Sequence, residues 1–288
     1  MITFRYHLVT IAAVFVALAA GVALGAGVLD ESGSAPEGDA GTTRDTALTR
    51  FEDGYAARTA GALVDGTLAD RSVVLLTLPG ARDEEVEGVR ASLEDAGATV
   101  TGVTELTSRL LDPANRQFAE SVAEESGSGV DAVTEAEAGY ARVGAALSRT
   151  VLGEDGAELD EAARTIAAAF GEGDLVAGDE RPDELASLAV VVTGPSSISG
   201  RAEVLTGLVR AIGSAGEGAL VAGPSTSSQD GGAVDAVRRD DSGGEVSTVD
   251  VIDTAAGRAV AALALSRSAD GQDGSWGTSR SADGALPD

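Results

Sequence analysis

Three short runs carry the residues best suited to ligand chemistry: Leu78-Pro79-Gly80, Thr193-Gly194-Pro195-Ser196-Ser197 and Gly223-Pro224-Ser225-Thr226-Ser227. Each closes an apolar, β-branched run. Small hydroxyl residues beside glycine at such a place can offer backbone N–H groups and hydroxyls to an anion, above all where a helix begins nearby. Gly194, Pro195, Ser196, Gly223, Pro224 and Ser225 are therefore the ligand-loop candidates. The competing reading is that the Ser and Thr residues here only cap helices. No Lys completes a P-loop and no GxGxxG opens a helix after the first strand, so no nucleotide cofactor is expected.

The rest of the chemical inventory is sparse. The chain has no Cys, and Met1 and His7 are its sole Met and His. Beyond His7 there is no base for a Ser-His-Asp triad, no thiolate or disulfide, and no soft or imidazole ligand for copper. His7 itself reads as a polar residue at a membrane edge. Carboxylates number 47, so a pair of them signals a solvated surface before it signals catalysis. Asp240, Asp241, Asp250 and Asp253 offer oxygens to hard cations without the spacing of a dedicated loop. Neither enzymatic activity nor a cofactor is expected. All 20 basic residues are Arg, and the formal net charge is −27. Such a field repels phosphate backbones and anionic lipid heads, which disfavours nucleic-acid binding and leaves divalent cations or a basic partner as better matches.

The elements that must position those loops have a βα rhythm. Ser72 to Gly80 is a short continuous apolar run ending in Pro-Gly, and Val86, Val89, Leu93 and Ala96 then trace one helical face before Gly97. Thr99 to Leu106 reads as the next strand. The pattern returns with a strand at Leu188, a helix over about Arg201 to Ser214, a strand at Gly218, a strand at Val246 and a helix from Ala255 to Arg267. Leu106 to Gly173 reads mostly as helix. Buried runs that do not alternate favour a parallel sheet covered on both faces, and open sheets of this kind bind ligands beyond the carboxyl ends of their strands. The expected fold is α/β, with a layered, Rossmann-like parallel-sheet domain over 71–267. Short strands separated by helices do not read as a transmembrane barrel.

Upstream, no charge interrupts Leu8 to Leu29. A helix of that length would extend about 33 Å, enough to cross a bilayer core. It reads as an uncleaved anchor, with a cleaved leader as the competing reading because Gly25, Ala26 and Gly27 resemble a cleavage site. Arg5 precedes the segment and Asp30 and Glu31 follow it, so residues 1–7 form a cytoplasmic stub and the body lies in the cell envelope. Ala13, Ala17, Gly21 and Gly25 recur every four residues as a small-residue face through which two membrane helices can associate into a homo-oligomer. Residues 30–47 read as a flexible linker, 48–70 as a short helical spacer and 268–288 as a disordered tail carrying Trp276.

The opening FRYHLVTIAAVFVALAAGVALGAGVL, the unit SVVLLTLPGARDEEVEGVRASLEDAGATVTGVTEL, the pair VVVTGPSS and LVAGPSTSS, and the closing VSTVDVIDTAAGRAVAALALS with GSWGT resemble, in that order, the actinobacterial MctB family of copper transporters. The resemblance implies a membrane helix, a coiled-coil spacer, an exported α/β domain and a part in copper efflux or envelope copper homeostasis. The spacer here is short and poorly heptadic, which departs from a long coiled coil. The resemblance supplies no ligand residues. Read from the residues alone, the chain fits a non-catalytic scaffold that recruits a cell-wall or cell-separation partner, or a small-ligand module built on the Gly-Pro-Ser loops. A single apolar helix forms no pore, so copper passage would require an oligomer or partners.

Overall fold

The computed structural model describes residues 37–240 and 246–287. Helix α1 (Glu37–Val64) is followed by β1 (Ser72–Thr77), α2 (Asp83–Asp95) and β2 (Thr99–Leu106). A helical stretch comes next: α3 (Arg116–Ser126), the single turn α4 (Asp131–Thr134), α5 (Tyr140–Arg149) and α6 (Glu161–Glu172). Then follow β3 (Val176–Ala177), β4 (Leu188–Val192), α7 (Ala202–Ala215), β5 (Gly218–Ala222), α8 (Ala233–Arg239), β6 (Ser247–Val249), α9 (Ala255–Ala269) and β7 (Ser275–Trp276).

The strands form one open sheet in the order β3-β2-β1-β4-β5-β6-β7. Every pairing is parallel except that of β2 with β3. β1 is buried along its whole length, because an apolar run between two parallel neighbours needs cover on both faces. The cover is divided by the strand's alternation. Val74 and Leu76 join the core layer shared with α3, α5, α6 and α7, whereas Val73 and Leu75 join the layer built from α2 and α9. Val86, Val89 and Leu93 are the α2 stripe that the helical spacing predicts. Each such side chain, fully buried, contributes roughly 1.5–3 kcal/mol.

The chain divides into two compact units, Met1–Glu52 and Asp53–Asp288, with the boundary inside α1. In the second unit the end of α1 belongs to the α/β body: Val64 and the following Leu68 are buried in the α2/α9 layer, and the Asp53 carboxylate accepts the Ala255 N–H at 2.7 Å at the start of α9. α1 begins at Glu37, inside the segment expected to be a flexible linker, and so corrects that expectation for residues 37–47. Pro36, immediately before it in sequence, is a helix-start signal that the Gly-rich composition outweighed in the reading.

The C-terminal segment corrects a second expectation. Residues 268–287 are folded: α9 continues to Ala269, and β7 pairs with β6 through Thr248 with Ser275 and Val249 with Trp276. What holds the segment is polar. Arg238 of α8 and Asp250 after β6 form an ion pair at 2.6 Å, with side chains 4% and 0% exposed. The same guanidinium donates to Thr248 Oγ1, Ser279 Oγ and the Trp276 carbonyl. Asp250 in turn accepts the Thr278 N–H at 2.7 Å. Gly277, at φ +135°, passes so close to this carboxylate that a Cβ there would lie 2.1 Å from Asp250 Oδ1. Burial alone would raise the Asp250 pKa, but hydrogen bonds from Ser279, Thr278 and Arg238 outweigh it and hold the carboxyl below its ordinary value.

Candidate functional site

The strand order reverses direction between β1 and β4, since the chain moves outward from β1 to β2 on one side and from β4 to β5 on the other. In doubly wound sheets the crevice beyond the carboxyl ends at such a reversal is where ligands bind. The structure brings the three sequence-selected loops to this end. Gly194, Pro195 and Ser196 follow β4, and Gly223, Pro224 and Ser225 follow β5. Their disposition closes the crevice. Gly194 lies against the β1 loop so tightly that a Cβ on it would sit 1.9 Å from the Gly80 carbonyl oxygen. The ladder also continues past the strands, from Leu78 N–H to Val192 O, Thr193 N–H to Ala222 O and Gly223 N–H to Val249 O, each at 2.9 Å.

The anion-binding capacity of the β5 loop is already used internally. Ser225 donates its N–H and its hydroxyl to the Asp253 carboxylate, at 3.1 and 2.8 Å. Gly223 and Pro224 are buried, while Pro195 and Ser196 are exposed. Ser197 bonds Ser199 and the Gly231 carbonyl, which ties the β4 loop to the start of α8. The acidic residues singled out as hard-cation oxygens are also engaged: Asp240 with Arg210, Asp250 with Arg238 and Asp253 with Ser225. Asp241 lies outside the described residues, as do the apolar segment Leu8–Leu29 and its face Ala13, Ala17, Gly21 and Gly25. Among the described residues no helix is long and apolar enough to cross a membrane, and no group of three His, Cys, Asp or Glu side chains is placed to hold a metal ion.

Open space lies one strand over. A cavity of about 620 Å³ sits beyond β1 and β2, between the first turns of α2 and the strap that follows β3. Thr77 and Glu105, cross-strand partners at the ends of β1 and β2, form its floor. Asp83, Glu87 and Arg90 enter from α2, and Asp179 and Glu180 from the strap, which is held to β2 by the Val103 N–H donating to Glu180 O at 2.8 Å. Arg90 is the one cation among these groups. It bonds Glu180 at 2.5 Å and lies 3.6 Å from Glu87. A second hollow of about 800 Å³ on the other side of the strap is lined by Arg164 and Arg181 together with Glu158, Asp179, Asp183 and Glu184.

The sequence reading did not find this cavity. Its one available signal was position: Thr77 and Glu105 are the polar residues near the carboxyl ends of two strands read correctly. Phosphate-bearing ligands fit it poorly, because Asp83, Glu84 and Glu85 occupy the first turn of α2, where a Rossmann fold places the pyrophosphate.

Fold and site together define an open, doubly wound α/β domain with a closed central crevice and an acidic side cavity, and the sheet of the described residues is open, running from β3 to β7 without closing into a barrel. The chain belongs to the MctB family: the family described as "Copper transport outer membrane protein, MctB" matches residues 1–287. Relatives called copper transporter MctB, from Mycobacterium tuberculosis and Mycobacterium bovis, are 30% identical over 92% of this chain and 92% of their own. The copper transporter MctB of Mycobacterium leprae is 29% identical over the same shares.

Proposed function

We propose that this chain is a membrane-anchored envelope protein acting in copper efflux or homeostasis, with residues 1–7 cytoplasmic, Leu8–Leu29 spanning the membrane and the α/β domain outside. The observation that carries this reading is the family match over residues 1–287, which includes the apolar segment and the α/β body in one order. The relatives' shared name favours copper over the scaffold reading. Beyond His7 the chain has no thiolate, thioether or imidazole, so copper is a passing substrate of an assembly and not a cargo chelated by soft ligands of this domain. That assembly is a homo-oligomer joined through Ala13, Ala17, Gly21 and Gly25, with or without an envelope partner.

Total copper in a deletion strain and its complemented parent, grown at matched external copper, tests the role. Accumulation on deletion, reversed by complementation, is expected; unchanged copper overturns it. Topology has its own test, since the chain is free of Cys. A Ser121→Cys variant, at an exposed site on α3, is expected to react with a membrane-impermeant maleimide in intact cells. Labelling only after lysis would reverse the orientation.

A further inference from the structure

We infer that residues 178–181, the strap between the two hollows, form a two-position latch in which Arg90 exchanges Glu180 for Glu87. Gly178, Asp179, Glu180 and Arg181 are all exposed, between the buried Val176 of β3 and the buried Pro182. The hollows of about 620 and 800 Å³ are both lined by Gly178 and Asp179, so open space lies on either side of the strap. Gly178 sits at φ +115°, where only glycine rests without strain, and it can absorb the rotation that a swing requires. Pro182 fixes the far end.

Few bonds define the position seen. The Val103 N–H of β2 donates to Glu180 O at 2.8 Å, and Gly102 lets the strap lie against β2, since a Cβ there would be 2.5 Å from the same oxygen. Among the described residues Glu180 is the only side chain of 178–181 in an ion pair, with Arg90 at 2.5 Å. Arg90 has a second carboxylate within reach. Glu87, one turn back on α2, lies 3.6 Å from Arg90 Nε, and that Nε is buried without a hydrogen-bond partner. A buried donor left unpaired is costly, and a small shift of the guanidinium toward Glu87 satisfies it at the expense of Glu180. The Glu87 and Glu180 side chains are equally exposed, at 67% each, so neither pairing is favoured by burial, as a two-position element requires. In the second position the Val103 bond breaks, the strap swings about Gly178, and the two hollows join into one groove along the outer side of β2. This inference does not rest on the copper reading.

Hydrogen exchange at the Val103 amide, followed by NMR on the full-length chain in non-ionic detergent, reads the second position directly. Glu180→Gln is expected to speed this exchange about fivefold and Glu87→Gln to slow it about threefold, the worth of an exposed ion pair. The Thr107 amide, bonded to Leu175 O at 3.1 Å on the same edge of β2, is expected to keep its rate in both variants. Slowing by Glu87→Gln is the decisive result, because an Arg90–Glu180 pair with a structural role alone would not produce it. Both acids are exposed and both replacements keep their shape, so the variants report on a folded protein. A Val103 rate that is unchanged in either variant, faster in both, or altered equally at Thr107 would overturn the proposal, the last by showing that the whole edge opens together.

Discussion

The Asp53 carboxylate accepts the amide of Ala255 at 2.7 Å, across 202 positions of sequence. A helix arriving from the N-terminal side thereby caps the first turn of α9, a helix near the other end of the chain, beside the cap that Thr254 makes to the Gly257 N–H at 3.0 Å. The free N–H groups of a helix start attract a carboxylate for both hydrogen-bonding and dipole reasons. Asp53→Ala is expected to lower stability by about 1 kcal/mol, and Asp53→Asn by less. Urea unfolding of the two variants measures the difference, and equal stability of Asp53→Ala and the parent would show that Thr254 suffices.

Arg238 and Asp250 give a larger effect. Removing one member of a buried ion pair leaves the other charged without compensation, which costs about 3–5 kcal/mol. Arg238→Met is expected to fall in that range. It is also expected to release the segment beyond Gly274, since Ser279 and the Trp276 carbonyl lose the same guanidinium. Limited proteolysis reads this directly: early cleavage between residues 275 and 287 in the variant, and resistance in the parent.

Acid should weaken the fold through two carboxyls. Asp250 is held below its ordinary pKa as described. At Asp155 burial works the other way, but bonds from the Ser72 hydroxyl, Ser187 and the Ser72 N–H outweigh it, so its pKa is also lowered. A carboxyl whose folded pKa lies below its unfolded value contributes stability that is complete above the unfolded pKa, near 4, and that is lost as the pH falls through the folded one. Stability is therefore expected to be insensitive to these groups at neutral pH and to decline below about pH 4. Asp155→Asn is expected to flatten part of that decline, and an unchanged pH profile in this variant would remove Asp155 from the account.

Gly194→Ala probes the closed crevice. The added Cβ would meet the Gly80 carbonyl oxygen at 1.9 Å, so the β1 and β4 loops must part. A cost of about 1–3 kcal/mol is expected, visible as a lower thermal midpoint. Ser196→Ala, on an exposed side chain of the same loop, is expected to change little. Equal effects of the two substitutions would mean that the loops separate freely.

Much of this architecture was legible in the residues, and the reasons are local. β1, β4 and β5 are continuous apolar runs, β2 occupies Thr99–Leu106 as read, and the stripe Val86, Val89, Leu93 belongs to a helix. β3 and β7 were not legible, because two residues carry no periodicity. The C-terminal segment looked disordered because Ser275, Gly277, Ser279 and Ser281 have the composition of a solvated chain. Their order comes from Arg238, 38 positions before Trp276. The loop candidates lie at one end of the sheet, after β4 and β5, but the contact that shuts them is a backbone distance between Gly194 and Gly80 that no pattern encodes. The acids of the side cavity were hidden among 47 of their kind, and only the strand register sets Glu105 beside Thr77.

The late arrival of β7 has a consequence for how the molecule comes into being. A chain emerging from its N-terminus makes β6 well before Ser275 and Trp276 exist to pair with it, so the strand's outer edge stays unsatisfied throughout the synthesis of α9. Asp250 likewise waits for Thr278. The pairing that completes this side of the sheet is therefore among the last contacts a growing chain can make, and it falls to residues delivered at the very end of synthesis.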